Sequence, residues 1–423
     1  MKILFLAHRI PYPPNKGEKT RCFYELRALA KDHAIDLFCF ADSEEEAREG
    51  MALRQWCRKV HAEVLFRRSG LVRAALRAAS GLPASVCYYN SPTMRAAVHA
   101  ACQTEKYDLI FVYCSSVAQF VPQPLPAPLV IDFVDADSAK WKQYARYSSF
   151  PKSWVYSREG RLLAAYEKEI AELADVSIVT TRQELDDLGG ESECPRTEVV
   201  ENGVCRPPEE TAVPSDVHQL QPYVLFVGTM SYRPNVDAVV YFAREVFPLV
   251  QRVKPNVRFL IVGRDPAAEV KELAARPGVV VTGGVPDVHG YLRGAACAIA
   301  PFRIAQGVQN KVLEALVSGI PVVLTSRPAR AIPDAASSLL QVADSSEDFA
   351  NAVLRTIEDP QYAQRAQAAA PRMRDLLSWE PPLEKLRRLI REAAAGRAEQ
   401  FAKSPLRESC AHAQMVLEGK TKQ

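Results

Sequence analysis

The sequence predicts an α/β protein made of two doubly wound, Rossmann-like parallel-sheet domains. Short, continuous apolar runs such as KILFLA, YDLIFVY and YVLFVG alternate with intervals of helical periodicity. Unbroken apolar runs of this length suit strands buried on both faces of a parallel sheet. The alternation stops at RPPEETAVPSDVHQLQP, a stretch with four prolines, and then begins again; a proline-rich break between two repeats of one pattern reads as a linker. At 423 residues the chain is also too long for a single core. The expected organisation is a first domain over 1–205, a linker over 206–221, a second domain over 222–378, a closing helix over 379–396 and a mobile tail over 397–423.

Apolar residues make up 48% of the chain, charged residues 24%, and the net charge is +3, so nothing marks a nucleic-acid binder. The first apolar run spans only five residues before His8 and Arg9, too short for a signal-peptide core, and no later run approaches a membrane span. A cytoplasmic protein is expected. The ten cysteines form no C-x-x-C pair and several lie inside apolar runs, which reads as reduced core thiols and not as zinc ligands or a disulfide frame.

In the first half, Lys2 to Ala7 is the first strand. The loop after it, HRIPYPPNKGEKT, is stiffened by Pro11, Pro13 and Pro14, and Gly17 permits a close approach. Lys16, Lys19 and Arg21 gather where the helix RCFYELRALAKD begins, a place that favours anions; a phosphate- or acceptor-binding loop and a solvated connector both fit. AIDLFCF is the second strand, and DSEEEAREG a solvated helix start. Farther on, Leu71, Ala75 and Leu76 stand beside Arg67, Arg68, Arg73 and Arg77, a basic amphipathic stretch that either docks on an anionic membrane surface or is an ordinary surface helix. YDLIFVY and LVIDFVD are the next strands, the latter leading into Asp135 and Asp137. These two carboxylates suit either the positioning of an acceptor hydroxyl or the capping of the next helix. Trp141, Tyr144, Tyr147 and Trp154 either line a cleft for that acceptor or join the core. VSIVTT and TEVVENGV close the half.

The second half restarts with YVLFVG, which turns at Gly228 into the helix VDAVVYFAREVFPLVQ; VRFLIVG, VVVTG, CAIAP and PVVL follow as strands. Between the last two, Val308, Val312, Leu313, Leu316 and Val317 recur at helical spacing, leaving Gln306, Gly307, Gln309, Asn310, Lys311 and Glu314 on the loop, the first turn or the other face. A polar cluster at a helix start after a parallel strand lies at the carboxyl edge of the sheet, where unpaired backbone N–H groups and the helix dipole favour an anion. Gly307 lets a ligand approach the backbone, Lys311 supplies a point charge for phosphate, and Glu314 accepts hydrogen bonds from sugar hydroxyls. Together these residues suit a nucleoside diphosphate, though Lys311 and Glu314 also fit a plain i, i+3 surface pair.

The stretch resembles the signature of family-four glycosyltransferases of the GT-B fold. There an acid, seven residues and a second acid precede a run like ALVSGIPVV. Glu314 matches the second acid, while Gln306 stands where the first would be. The resemblance extends over nearly the whole chain and is nearest to sugar transferases of bacterial exosortase and exopolysaccharide systems. It implies two facing domains, with the acceptor on the first, a nucleotide sugar on the second and the closing helix crossing back to the first. ENGV resembles the turn into the interdomain linker, and the late Trp-Glu the start of the crossover helix. The Arg and Lys that relatives place after the first strand of this half fall here on Thr229 and Pro234, with Arg233 one residue displaced, so a phosphate role passes to Arg233 and Lys311. Gly263 and Arg264 end another strand, and Gly283, Gly284 and Asp287 lie where relatives wrap the base.

The resemblance implies a hexosyltransferase that retains anomeric configuration and moves sugar from a nucleoside-diphosphate donor to a glycan or lipid-linked acceptor in exopolysaccharide or cell-surface polysaccharide synthesis. Expected catalytic residues are Lys311, Arg233, Asp135 and Asp137; donor-binding residues are Gly228, Gly263, Asp287, Gln306, Gly307, Asn310 and Glu314; the acceptor or phosphate loop holds Lys16, Gly17 and Lys19. No cofactor or metal is expected, since Lys311 and the helix end already supply positive charge, and the basic stretch admits a peripheral position on the inner face of the cytoplasmic membrane. A GT-B nucleotide-sugar 2-epimerase and a non-catalytic nucleotide-sugar-binding subunit are the competing readings.

Overall fold

The computed structural model describes every residue except 15–16, 77–80, 195, 209–211, 306 and 404–423. The first sheet has seven parallel strands: β1 Lys2–Ala7, β2 Ala34–Ala41, β3 Lys59–Val64, β4 Leu109–Tyr113, β5 Leu129–Asp132, β6 Val176–Val179 and β7 Thr197–Val199, in the order β3-β2-β1-β4-β5-β6-β7. The second has six: β8 Tyr223–Val227, β9 Arg258–Val262, β10 Val279–Gly283, β11 Cys297–Ala300, β12 Val322–Leu324 and β13 Leu340–Val342, in the order β10-β9-β8-β11-β12-β13. Both orders reverse beside their first strand, between β1 and β4 and between β8 and β11. Such reversals leave a crevice at the carboxyl ends of the strands.

The central strands are the continuous apolar runs of the sequence. Ile3 to Ala7 and Leu109 to Tyr113 are buried throughout, because helices cover both sheet faces. The helices that matter for the site are α1 Gly17–Ala30, α2 Arg67–Leu76, α3 Asp137–Arg146, α4 Lys152–Leu173, α5 Arg182–Asp187, α6 Arg233–Tyr241, α7 Asn310–Val317 and α8 Glu380–Lys403. Val312, Leu313, Leu316 and Val317 of α7 are buried in the second core, the stripe expected from their spacing. β3 and β13 were not anticipated. Both are edge strands, and β3 is only half-buried along most of its length, so neither carries the unbroken apolar signal of an inner strand.

The closing helix does cross back. Leu383, Leu386, Leu389, Ile390 and Ala393 of α8 join the first domain's core with Leu26 and Leu29 of α1. Trp379 stacks on Tyr24, ring centroids 4.8 Å apart and planes 10° from parallel. Gly203 makes room for it, since a Cβ there would lie 2.5 Å from the Trp379 Cα, and Val204 N–H donates to the Leu377 carbonyl at 2.7 Å. The helix continues to Lys403, seven residues into the segment expected as tail; 404–423 lie outside the described residues. Among the described residues no helix is long and apolar enough to cross a membrane, and the described cysteines are free thiols, most of them buried.

Arg21, expected among the loop cations, is instead a core residue. It is 1% exposed and bonds Asp132 at the end of β5 (2.8 Å from Nε), Glu25 (3.0 Å) and the carbonyls of Val200 (2.9 Å) and Glu201 (3.3 Å). A guanidinium with several partners satisfies its desolvated charge, and it ties α1 to the exit of the first domain.

Candidate active site between the two sheets

The carboxyl ends of both sheets carry the strained backbone of the molecule. Cys114 after β4 (φ 79°), Val134 after β5 (φ 67°) and Asp265 after β9 (φ 55°) all occupy the left-handed region without being glycine. Such conformations cost about 1–3 kcal/mol each and concentrate at functional sites.

On the second sheet, Lys311 rises from the first turn of α7 toward the end of β8. Its Nζ donates to Asn235 Oδ1 at 2.7 Å and stands over the rings of Phe226 (4.1 Å) and Phe302 (4.6 Å). Asn235 in turn donates from Nδ2 to the Thr229 carbonyl at 2.9 Å, so Lys311 is held at the very turn where Gly228 lies. A Cβ at Gly228 would meet Asn235 Nδ2 at 2.7 Å and Lys311 Nζ at 3.0 Å. Burial lowers the Lys311 pKa to about 7, with Glu314 opposing the shift; burial raises Glu314 to about 7, with Lys311 opposing. The pair therefore sits where a ligand's charge and hydrogen bonds decide its protonation. Gly263 lies directly beneath Gly228, where a Cβ would come within 1.6 Å of the Gly228 carbonyl oxygen, so its part is close backbone packing. Asp287 accepts from His289 N–H at 2.9 Å, shaping the turn into the helix after it.

Three approaches bring the first domain to this site. Gly17 at the start of α1 faces Asn310, whose Nδ2 would be 3.5 Å from a Cβ at 17, and Asn310 Oδ1 is buried without a partner. Arg233 at the start of α6 lies over the Tyr144 ring (5.7 Å) and reaches the Ser148 hydroxyl (3.3 Å). Gly307, at φ 62°, fits against the end of the first sheet, where a Cβ would lie 2.5 Å from Asp135 Oδ1, 3.1 Å from Glu184 Oε1 and 3.5 Å from Thr180 Oγ1. A residue with a side chain at 307 would hold the domains apart.

Asp135 is buried enough to raise its pKa, with Lys140 opposing and Asp137 adding to the rise. Asp137 forms an ion pair with Lys140. Neither aspartate caps α3: its N-cap is Ala136 without a side-chain bond, and Glu167 accepts from Ser138 N–H at 3.1 Å. His8, at the end of β1, is stacked against Tyr113 (5.9 Å); burial and the neighbouring Arg9 lower its pKa to about 4, so it is neutral near pH 7.

The expectation for Lys19 is corrected: it is 3% exposed and ion-paired with Glu46, so it is not among the cations facing the second domain. Lys16 and Gln306 lie outside the described residues. Trp141 and Tyr144 form a ring cluster with Tyr156, whereas Tyr147 and Trp154 are exposed. On α2, Leu71 and Val72 are exposed and Arg73 is half-buried; Arg77 lies outside the described residues. The sequence reading missed Asn235 and Glu184. Only Glu184 carries a signal, the T-x-x-E of a capping box at Thr181. Among the described residues no group of three or more His, Cys, Asp or Glu side chains is placed to hold a metal ion.

Residues 221–359 match the family described as Glycosyl transferases group 1. No curated protein sequence matches the chain significantly. Among solved structures, the chain is similar to sucrose-phosphate synthase from Thermosynechococcus elongatus, at 18% identity over 96% of this chain and 100% of that one, with a TM-score of 0.65. It is also similar to WaaG, a glycosyltransferase involved in lipopolysaccharide biosynthesis (18% identity, 92% and 99% covered, TM-score 0.60), and to Anabaena HepE in complex with UDP (16%, 96% and 100%, TM-score 0.56). The chain has the GT-B fold, and the group 1 glycosyltransferase match lies within its second domain.

Proposed function

We propose that the chain transfers a hexose from a nucleoside-diphosphate sugar on the second domain to a hydroxyl of a glycan or lipid-linked acceptor on the first. The observation that carries this reading is Lys311, held by Asn235 at the Gly228 turn, on the helix that follows Gly307, which itself packs against the first domain's Asp135. In this scheme the diphosphate binds Lys311, Arg233 and the amide groups at the start of α7, which stabilise the charge that grows as the glycosidic bond breaks. Glu314 accepts from the ribose hydroxyls, Gly263 keeps the floor flat, the turn holding Asp287 packs the base, and Asn310 with Gly17 closes the cleft. Asp135 orients the attacking hydroxyl, with Asp137 and Lys140 beside it. The UDP bound to the similar HepE supports a uridine nucleotide as the first donor to try.

The resemblance to family-four enzymes favours retention of configuration, and its nearness to exopolysaccharide-associated transferases favours cell-surface polysaccharide synthesis at the inner face of the cytoplasmic membrane. The exposed Phe66, Leu71 and Val72 flanking Arg68 suit contact with such a surface. The test is incubation of the protein with labelled nucleotide sugars and a lipid-linked glycan extract. Label transferred to the extract is the expected result. Free sugar released equally without acceptor would favour the epimerase chemistry instead.

A further inference from the structure

Glu184 is 0% exposed and both of its oxygens are committed differently. Oε2 takes three donors, the Thr180 N–H (3.0 Å), the Thr180 hydroxyl (2.6 Å) and the Thr181 N–H (3.1 Å). Those bonds complete the capping box of α5. Oε1 finds no donor, yet it and Asp135 Oδ1 lie within 3.1 Å and 2.5 Å of one point, the place a Cβ at 307 would occupy. Two carboxyl groups that converge on one buried point are stable there only when one is protonated, since carboxylates accept and do not donate. Burial first, and then the Asp135 charge, raise the Glu184 pKa well above the ordinary range, while a bond from Glu184 lowers that of Asp135. Burial raises Asp135 as well, but Glu184 is fully buried with an Oε1 that no donor reaches, so Glu184 is the one assigned the proton. The other groups acting on the pair are Lys140 and Asp137 of α3 and Arg21 of α1, and Tyr232 before α6 feels the Asp135 charge.

We propose that Glu184 is a positioning residue, which by donating a hydrogen bond while keeping its own proton holds Asp135 as the ionised carboxylate that receives the proton of the attacking hydroxyl. The inference rests on the transferase reading above. In the step, the acceptor O–H bond breaks and its proton passes to Asp135. The acceptor oxygen bonds the anomeric carbon, and the bond from that carbon to the phosphate oxygen breaks, its electron pair leaving on the diphosphate. A separate proton acceptor is useful whichever face of the sugar is attacked, because Lys311 and the helix end that stabilise the leaving phosphate also reduce its basicity. Gly307 packs against this pair where the domains meet.

Three variants test the role. Glu184→Gln keeps both the cap and a donor toward Asp135, so turnover should stay within a few-fold of wild type, while at saturating donor, where the diphosphate holds Lys311 as the ammonium, the part of the alkaline limb set by ionisation of Glu184 disappears. Glu184→Ala removes the donor, so turnover should fall about 10²-fold and the acid limb should move to higher pH, with the affinity for nucleotide sugar unchanged. Asp135→Asn should lose turnover with either residue at 184. A purely structural cap would lower the melting temperature of Glu184→Ala without moving its pH profile, and profiles that superimpose would overturn the proposal. Infrared difference spectra, wild type minus Glu184→Gln near neutral pH, read the proton directly. Absence of a protonated-carboxyl band overturns the pair even if transfer is confirmed. A band present in a protein that binds no nucleotide sugar leaves the pair standing and removes its catalytic role together with the transferase reading.

Discussion

Glu314→Gln should convert a bell-shaped dependence of nucleotide-sugar affinity on pH into a one-sided one. Burial holds Lys311 down at about 7 and lifts Glu314 to about 7, so near neutral pH each is about half ionised. A diphosphate favours the ammonium form of Lys311, a contribution complete well below that pKa and lost as the pH rises through it. Ribose hydroxyls favour the carboxylate of Glu314, a contribution complete well above its pKa and lost as the pH falls through it. Each limb costs up to about tenfold in Kd per pH unit, or about 1.4 kcal/mol. Wild-type affinity should therefore peak near pH 7, with net proton release on binding below the peak and uptake above it. In the Gln variant the acid limb vanishes. The alkaline limb also moves to lower pH, because the Glu314 carboxylate is what raises Lys311 against its burial. Isothermal titration with UDP-glucose, whose diphosphate does not itself titrate in this range, measures both affinity and proton exchange when repeated in buffers of different ionisation enthalpy. A flat wild-type profile, or an acid limb that survives in Glu314→Gln, would refute the reasoning.

Lys311→Ala should depress turnover by about 10²–10³-fold, more than it weakens donor binding, as saturating-substrate rates beside titration will show; equal losses in both would make Lys311 a plain binding residue. Gly307→Ala puts a methyl 2.5 Å from Asp135 Oδ1 at a left-handed φ of 62°, so it should hold the domains apart and lower turnover at least about tenfold with donor affinity nearly intact. Unchanged rates would show that this contact is not needed in the reacting state. EDTA should leave turnover unchanged, because the charge on the leaving group is met by Lys311 and the helix end; loss of activity rescued by manganese contradicts this. Changing Arg68 and Arg73 of α2 to Gln should weaken sedimentation with anionic vesicles, each arginine contributing about 1 kcal/mol near such a surface, and unaltered sedimentation makes the patch ordinary surface.

The inner strands were legible because burial on both faces leaves an unbroken apolar run. The edge strands β3 and β13 were not, since a half-exposed strand such as KVHAEV mixes charges into the pattern. At the site, the stripe of α7 and the position of Lys311 followed from helical spacing. What spacing does not show is which neighbour captures a long side chain. Lys19 and Arg21, both expected near the loop, turn to Glu46 and Asp132, and Asn235 fixes Lys311 from 76 positions away. Pairings of that separation depend on how the strands are ordered, which no local pattern encodes. The meeting of Gly307 with Asp135 and Glu184 is of the same kind: each residue is locally unremarkable, and only the facing of two domains brings them together.

The central claim, that the second domain holds a nucleotide sugar through Lys311 and Glu314, is tested most directly by thermal unfolding with a panel of nucleoside diphosphates and their sugars, on the wild type and on Lys311→Ala and Glu314→Ala. One base should stabilise the wild type, by about 2.7 kcal/mol at a hundred times Kd, and both variants should show a much smaller shift at the same concentration. A wild type that no nucleotide or nucleotide sugar stabilises, or variants stabilised as strongly as the wild type, would contradict it.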